Sequence, residues 1–118
     1  MYSTPLSTER QLLTYSLMET FDNAINDDRL VLVDFYATWC QPCQMQHPVL
    51  AELKAQLGNR LRILKINIDQ HTDTAERFQV RSVPTLMLFR QGQQLWRQSG
   101  YLSLPDLRAT LDPFLAQQ

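Results

Sequence analysis

The chain is short of cysteine, of glycine and of any excess charge. Only two cysteines and three glycines occur in 118 residues, and 11 basic against 12 acidic side chains leave a formal net charge of −1. Two cysteines cannot supply the several bridges that hold a small secreted scaffold together. A near-neutral balance sets up no field to draw in nucleic acid or anionic lipid, so neither is expected as a partner. No apolar run approaches the roughly 20 residues that a bilayer-crossing helix needs. Met1-Tyr2-Ser3-Thr4-Pro5-Leu6 lacks the basic and apolar regions of a secretory signal. That points to the cytoplasm, with the periplasm as the alternative if a leader has been removed. Repeats and low-complexity tracts are also missing. What is present, 44% hydrophobic and 19% charged residues, is ordinary for a globular chain. The expectation is a single domain over 1–118, with polar residues 1–8 flexible.

The two cysteines stand together, in Tyr36-Ala37-Thr38-Trp39-Cys40-Gln41-Pro42-Cys43-Gln44-Met45. An apolar run from Leu30 to Phe35 precedes them and a helical pattern follows, so Cys40 falls where a strand ends and a helix begins. Residues three apart in a helix are separated by about 4.5 Å of rise and about 300° of rotation, hence about 5 Å between Cα atoms. A disulfide spans that distance. A loop this short gains little stability from being closed, so reactivity is the better reason for the pair. Thiol exchange needs a thiolate, and a helix N-terminus stabilises one through unpaired N–H groups and partial positive charge. Cys40 at the mouth benefits more than Cys43 one turn in, which makes Cys40 the attacking sulfur and Cys43 the resolving one. The rival is a zinc site using Cys40, Cys43, His47 and His71; structural zinc sites usually pair two cysteine knuckles and a second is missing. With zinc set aside, no metal is expected, His47 reads as a surface or helix-packing residue and His71 as a loop residue.

Along the chain, Arg10 to Thr14 suggests a short strand, and Leu17, Met18, Phe21, Ala24 and Ile25 an amphipathic helix ended by Asn26-Asp27-Asp28. Leu30 to Ala37 reads as a strand buried on both faces and interrupted by one acid, Asp34. The next helix runs to Leu57, with Met45, Val49, Leu53 and Leu57 as its core stripe, a kink at Pro48 and a stop at Gly58-Asn59. Leu61 to Asp69 is the next strand and Thr72 to Phe78 a short helix, which implies a parallel crossover. Leu86 to Phe89 and Leu95 to Ser99 flank a turn at Arg90-Gln91-Gly92-Gln93, with Gly100 bending the strand end. Ser103 and Asp106 open a last helix carrying Leu104, Leu107, Leu111 and Leu115, with a kink or fraying at Pro113. The fold class is α/β: a central mixed sheet of parallel strands plus a C-terminal antiparallel hairpin, with helices on both faces.

Trp39-Cys40-Gln41-Pro42-Cys43 resembles the active-site motif of the thioredoxin family. Val31-Leu32-Val33-Asp34-Phe35, Lys65-Ile66-Asn67-Ile68-Asp69, Val83-Pro84-Thr85, the Gln91-Gly92 turn and Gly100 extend the likeness in order over residues 10–118. The resemblance implies a thioredoxin fold and a dithiol protein-disulfide reductase with no bound cofactor. It also implies disulfide-containing client proteins, an NADPH-dependent flavoprotein reductase as electron donor, and a monomer. By position, Cys40 would be the exposed nucleophile and Cys43 its resolver. Asp34 would be a buried acid relaying the Cys43 proton through water, and Lys65 its buried partner. Pro84 would be a cis-proline beside the sulfurs. Trp39, Gln41, Pro42, Val83 and Gly100 would shape the client-binding surface. From the residues alone, Asp34 could equally reach solvent near the sheet end, Lys65 reads as an exposed strand residue, and an X-Pro bond is trans.

Four positions depart from the commonest family pattern: Gln41 for glycine, Gln44 for a frequent lysine, Ser82 for glycine and Ser99 for an apolar residue. They leave exchange chemistry intact and bear on redox potential and client range. Two further readings stand beside the reductase: an exported oxidase, isomerase or membrane-fed reductase, and a non-catalytic binding subunit of the same fold.

Overall fold

In a computed structural model of the chain, residues 14–15, 17–18 and 20–117 are described. The expected flexible segment 1–8, and most of the expected strand over 10–14, lie outside them. Short strands β1 (Thr14–Tyr15) and β2 (Leu17–Met18) precede helix α1 (Phe21–Ile25). The expected helix therefore starts later than its apolar spacing suggested, because Thr20 acts as a cap. Its hydroxyl accepts the Asn23 N–H at 3.1 Å, a bond that favours a helix start over a helix interior.

Strand β3 (Leu30–Tyr36) is wholly apolar except at Asp34 and is buried from Leu30 through Phe35. Such a strand must lie inside a sheet with both faces covered. It pairs in parallel with β4 (Leu61–Asn67) and antiparallel with β5 (Thr85–Arg90), which forms a hairpin with β6 (Gln93–Ser99). The resulting order is β4-β3-β5-β6. Gln91 and Gly92, both at positive φ, make the two-residue turn.

The alternation of β3 divides the core. Leu30 and Leu32 face helices α2 (Gln41–Leu57) and α4 (Leu104–Leu115), while Val31, Val33 and Phe35 face α1 and the region of α3 (Thr72–Arg77). On the second face Phe21, Phe35, Phe78 and Phe89 stack with ring centroids 5.2–6.4 Å apart. Ser103 caps α4 through the Asp106 N–H, as its sequence implied. Among the described residues no helix is long and apolar enough to cross a membrane.

The core stripe of α2 needs correction. Cys43, Gln46, Leu50, Leu53 and Leu57 are its buried residues, whereas Met45 is 52% exposed and Val49 only half-buried. Steps of four drift about 40° per step around a 3.6-residue helix, while alternating threes and fours stay on one side. A polar Gln46 in that stripe hid the register. Pro48 sits on the exposed face and α2 continues through it.

Candidate active site

Because β3 ends at Tyr36 and α2 opens at Gln41, the intervening loop delivers Cys40 to the helix mouth. Cys40 is the N-cap residue, with extended backbone, and its sulfur accepts the Cys43 N–H at 3.2 Å. The two sulfurs are joined as a disulfide, their Cα atoms 5.2 Å apart, in line with the helical spacing. Both thus stand where orphan N–H groups and the helix dipole favour negative sulfur once the bond opens. Cys40 is less open than expected: it is 5% exposed and Cys43 fully buried. Bonding to Cys43 and packing against Ala37, Tyr36, Ile68 and Val83 cover it. The surface around it belongs to Trp39, 69% exposed, and to Gln41 and Pro42, also exposed. The Trp39 indole N–H donates to Asp69 Oδ2 at 2.9 Å, and Gln44 Nε2 donates to the Thr38 carbonyl at 3.2 Å.

The Val83–Pro84 bond is cis, against the general trans preference and in accord with the family resemblance. It sets the Val83 carbonyl oxygen 3.6 Å from Cys40 Sγ. Gly100, at φ 96°, donates its N–H to the Pro84 carbonyl at 2.8 Å, a conformation that a side chain would strain. Ser99 hydrogen-bonds the Thr85 hydroxyl at 2.8 Å. Beyond Gly100, the buried Gln46 amide donates to the Leu102 carbonyl at 3.0 Å and accepts its N–H at 2.9 Å. Sequence reasoning missed this clamp; a lone glutamine in a helix carries no signal of it.

Asp34 lies opposite Lys65 on β4 and Leu86 on β5, on the α2 face of the sheet. It is fully buried, and neither carboxyl oxygen has a hydrogen-bond partner among the described residues. Burial pushes its pKa up to about 6, opposed by the Lys65 charge. Lys65, expected to be buried, is exposed: β4 is the sheet edge, and a flexible four-carbon stem lets the ammonium reach water there. Beside Asp34 stands a residue read as a surface or helix-packing one. His47 Nδ1 stands 3.6 Å from Asp34 Oδ2, and burial, then the Lys65 charge, lowers its pKa. His71 is exposed and is the N-cap residue of α3. Among the described residues no cluster of three or more His, Cys, Asp or Glu could hold a metal ion.

The Thioredoxin family model matches residues 13–113. The chain is similar to Thioredoxin 1 of Chlorobaculum tepidum, 41% identical over 93 residues, 78% of this chain and 92% of that protein. It is 42% identical over 85 residues to a thioredoxin-like protein of Synechocystis sp., covering 72% of this chain and 81% of that one. A solved structure described as that of a malarial protein aligns with a TM-score of 0.69 at 32% identity, over 72% of this chain and 96% of that chain.

Proposed function

Given that the chain belongs to the thioredoxin family and is a thiol-disulfide oxidoreductase that reduces disulfides in client proteins, we propose how its residues divide that work. The observation that carries the reading is the Cys40–Cys43 bridge at the mouth of α2, facing the Val83 carbonyl.

In the reduced protein the Cys40 thiolate attacks one sulfur of a client disulfide, and the other client sulfur leaves with the electron pair and takes a proton. Cys43 then loses its proton and attacks Cys40 Sγ, releasing the second client thiolate and closing the protein disulfide. Asp34, with a carboxyl that both gains and gives up protons near neutrality, accepts the Cys43 proton. Lys65 moderates that carboxyl through its charge. The client enters as an extended segment along Val83 and cis-Pro84, between Trp39, Gln41 and Pro42 on one side and Gly100 on the other, pairing with the backbone as an added strand. Two electrons from an NADPH-dependent flavoprotein reductase return the pair to the dithiol. The redox element is the cysteine pair itself, and the protein works as a cytoplasmic monomer of one domain. The oxidase and binding-subunit readings are not favoured: Pro42 is the residue of reducing family members, and relatives with about 40% identity are named thioredoxins.

Turnover of a disulfide-bonded protein by the reduced chain tests the core of this. Cys40→Ser abolishes it, and Cys43→Ser accumulates a client cross-linked to Cys40; wild-type turnover by Cys40→Ser refutes the reading. Equilibration with glutathione fixes direction, since a potential well above the cytosolic poise argues for oxidation.

A further inference from the structure

His47 Nδ1 and Asp34 Oδ2 are both buried, both without a hydrogen-bond partner among the described residues, and 3.6 Å apart. Unpaired buried polar atoms are costly and rare, and here two of them face each other. The gap is too long for a hydrogen bond and leaves no room for a water between them. A side-chain rotation of under about 1 Å brings them into hydrogen-bond range. The ring also leads outward, because the His47 side chain is 23% exposed while that of Asp34 is 0% exposed. Tyr36 meets the ring edge-on at 5.2 Å and fixes its plane. The ionisable groups around the pair are Lys65 from β4, the Tyr36 phenol from β3 and Cys43, one turn before His47 on α2. From β5 the residue opposite Asp34 is Leu86, which is apolar.

We propose that His47 is a positioning residue that passes protons between the Asp34 carboxyl and solvent, so that the proton released by Cys43 leaves through the imidazole. This rests on the reading that Asp34 accepts the Cys43 proton. The Cys43 S–H bond breaks as its sulfur bonds to Cys40 Sγ, and the electron pair departs with the client sulfur. The proton moves to Asp34, then from Oδ2 to Nδ1, and the ring releases one to water, leaving Asp34 ionised and His47 neutral. Burial raises Asp34 to about 6 and lowers His47 from its ordinary 6.5, so the buried acid holds its proton more tightly than usual and the imidazole beside it more loosely.

Single-turnover oxidation of the reduced protein by a small aromatic disulfide separates the steps. Attack by Cys40 releases one coloured thiolate, and resolution by Cys43 releases a second. In His47→Gln and His47→Phe, the latter keeping the ring contact with Tyr36, the first phase is unchanged. The second is slowed roughly tenfold at pH 7.5, below the full effect of a proton-transfer group because water partly substitutes. In His47→Ala, added imidazole restores the second phase. A second phase at wild-type speed in His47→Gln, or a slowed one that imidazole does not restore in His47→Ala, overturns the proposal. Asp34→Asn separates this from its premise: if that variant also resolves at wild-type speed, the Asp34 reading fails. If it is slow while His47→Gln is fast, only the His47 proposal fails.

Discussion

Asp34 should make the protein less stable as pH rises. Its carboxyl has a pKa of about 6 in the folded chain against 3.8 for an ordinary aspartate, with desolvation the larger cause and the Lys65 charge opposing it. An acid raised on folding binds its proton more tightly in the folded state. Stability is therefore fully present below pH 3.8, falls between about pH 4 and 6, and is flat above. A rise from 3.8 to about 6 corresponds to about 3 kcal/mol once the group is ionised, a large share of the 5–15 kcal/mol typical of a domain. Other carboxylates titrate over the same range; Asp27, held low by its hydrogen bonds to Arg29, works in the opposite sense. The measurement is accordingly the difference between wild type and Asp34→Asn in urea unfolding of the oxidised protein at pH 4 and pH 7.5. Asparagine also buries an amide, but that cost is the same at both pH values and cancels. The variant should gain on wild type by about 2–3 kcal/mol between the two. A difference that stays constant, or moves the other way, would falsify the placement of Asp34 as a desolvated, titrating carboxyl.

Gln46→Leu removes both partners of the Leu102 backbone and should cost about 2–4 kcal/mol, read from urea unfolding, with faster hydrogen exchange at the Leu102 amide. A loss below about 0.5 kcal/mol with unchanged exchange contradicts the clamp. Trp39→Ala strips the 69% exposed ring beside Cys40 and should raise KM for a protein client several-fold while leaving reaction with a small aromatic disulfide unchanged; equal effects on both would remove Trp39 from the client surface. Gln44→Lys frees the Thr38 carbonyl and brings a positive charge near Cys40 at an exposed site. The apparent thiol pKa, read from alkylation rate against pH, should fall by less than about 0.7, as a solvent-screened charge allows; a rise would contradict the sign.

Much of this was legible because the signals were local or strongly periodic. A strand-length apolar run broken by one acid, Asp34, reads as an interior strand, and β3 is one. Two cysteines three apart at a strand-to-helix junction specify their own spacing, and 5.2 Å is what the helix gives. What stayed hidden depends on partners far along the chain. Cis geometry at Pro84 follows from tertiary context, and only likeness to a family pointed to it. Lys65 was read correctly as exposed from its strand alternation and incorrectly as buried from the resemblance, because no pattern in a sequence states that β4 will be an edge. Gln46 and His47 look like an ordinary polar helix surface until the loop at Leu102 and the carboxyl of Asp34 are brought against them.

Those two residues, with Gln44, share a single turn of α2, and their directions explain what that turn does. On a helix advancing about 100° per residue, positions 46 and 47 point about 200° and 300° away from position 44. Each therefore meets a different neighbour: Gln44 the Thr38 carbonyl in the loop that carries Trp39, Gln46 the backbone beyond Gly100, and His47 the acid on β3. The first of these segments bears one wall of the proposed client groove and the second lies directly beyond the other. The turn that follows Cys43 thus ties both walls to the same rigid element and faces the buried Asp34 carboxyl as well. Apolar side chains in those places would pack the helix but leave the loops to position themselves. Polar residues there cost helix hydrophobicity and, in return, hold the loops around the sulfurs by directional bonds.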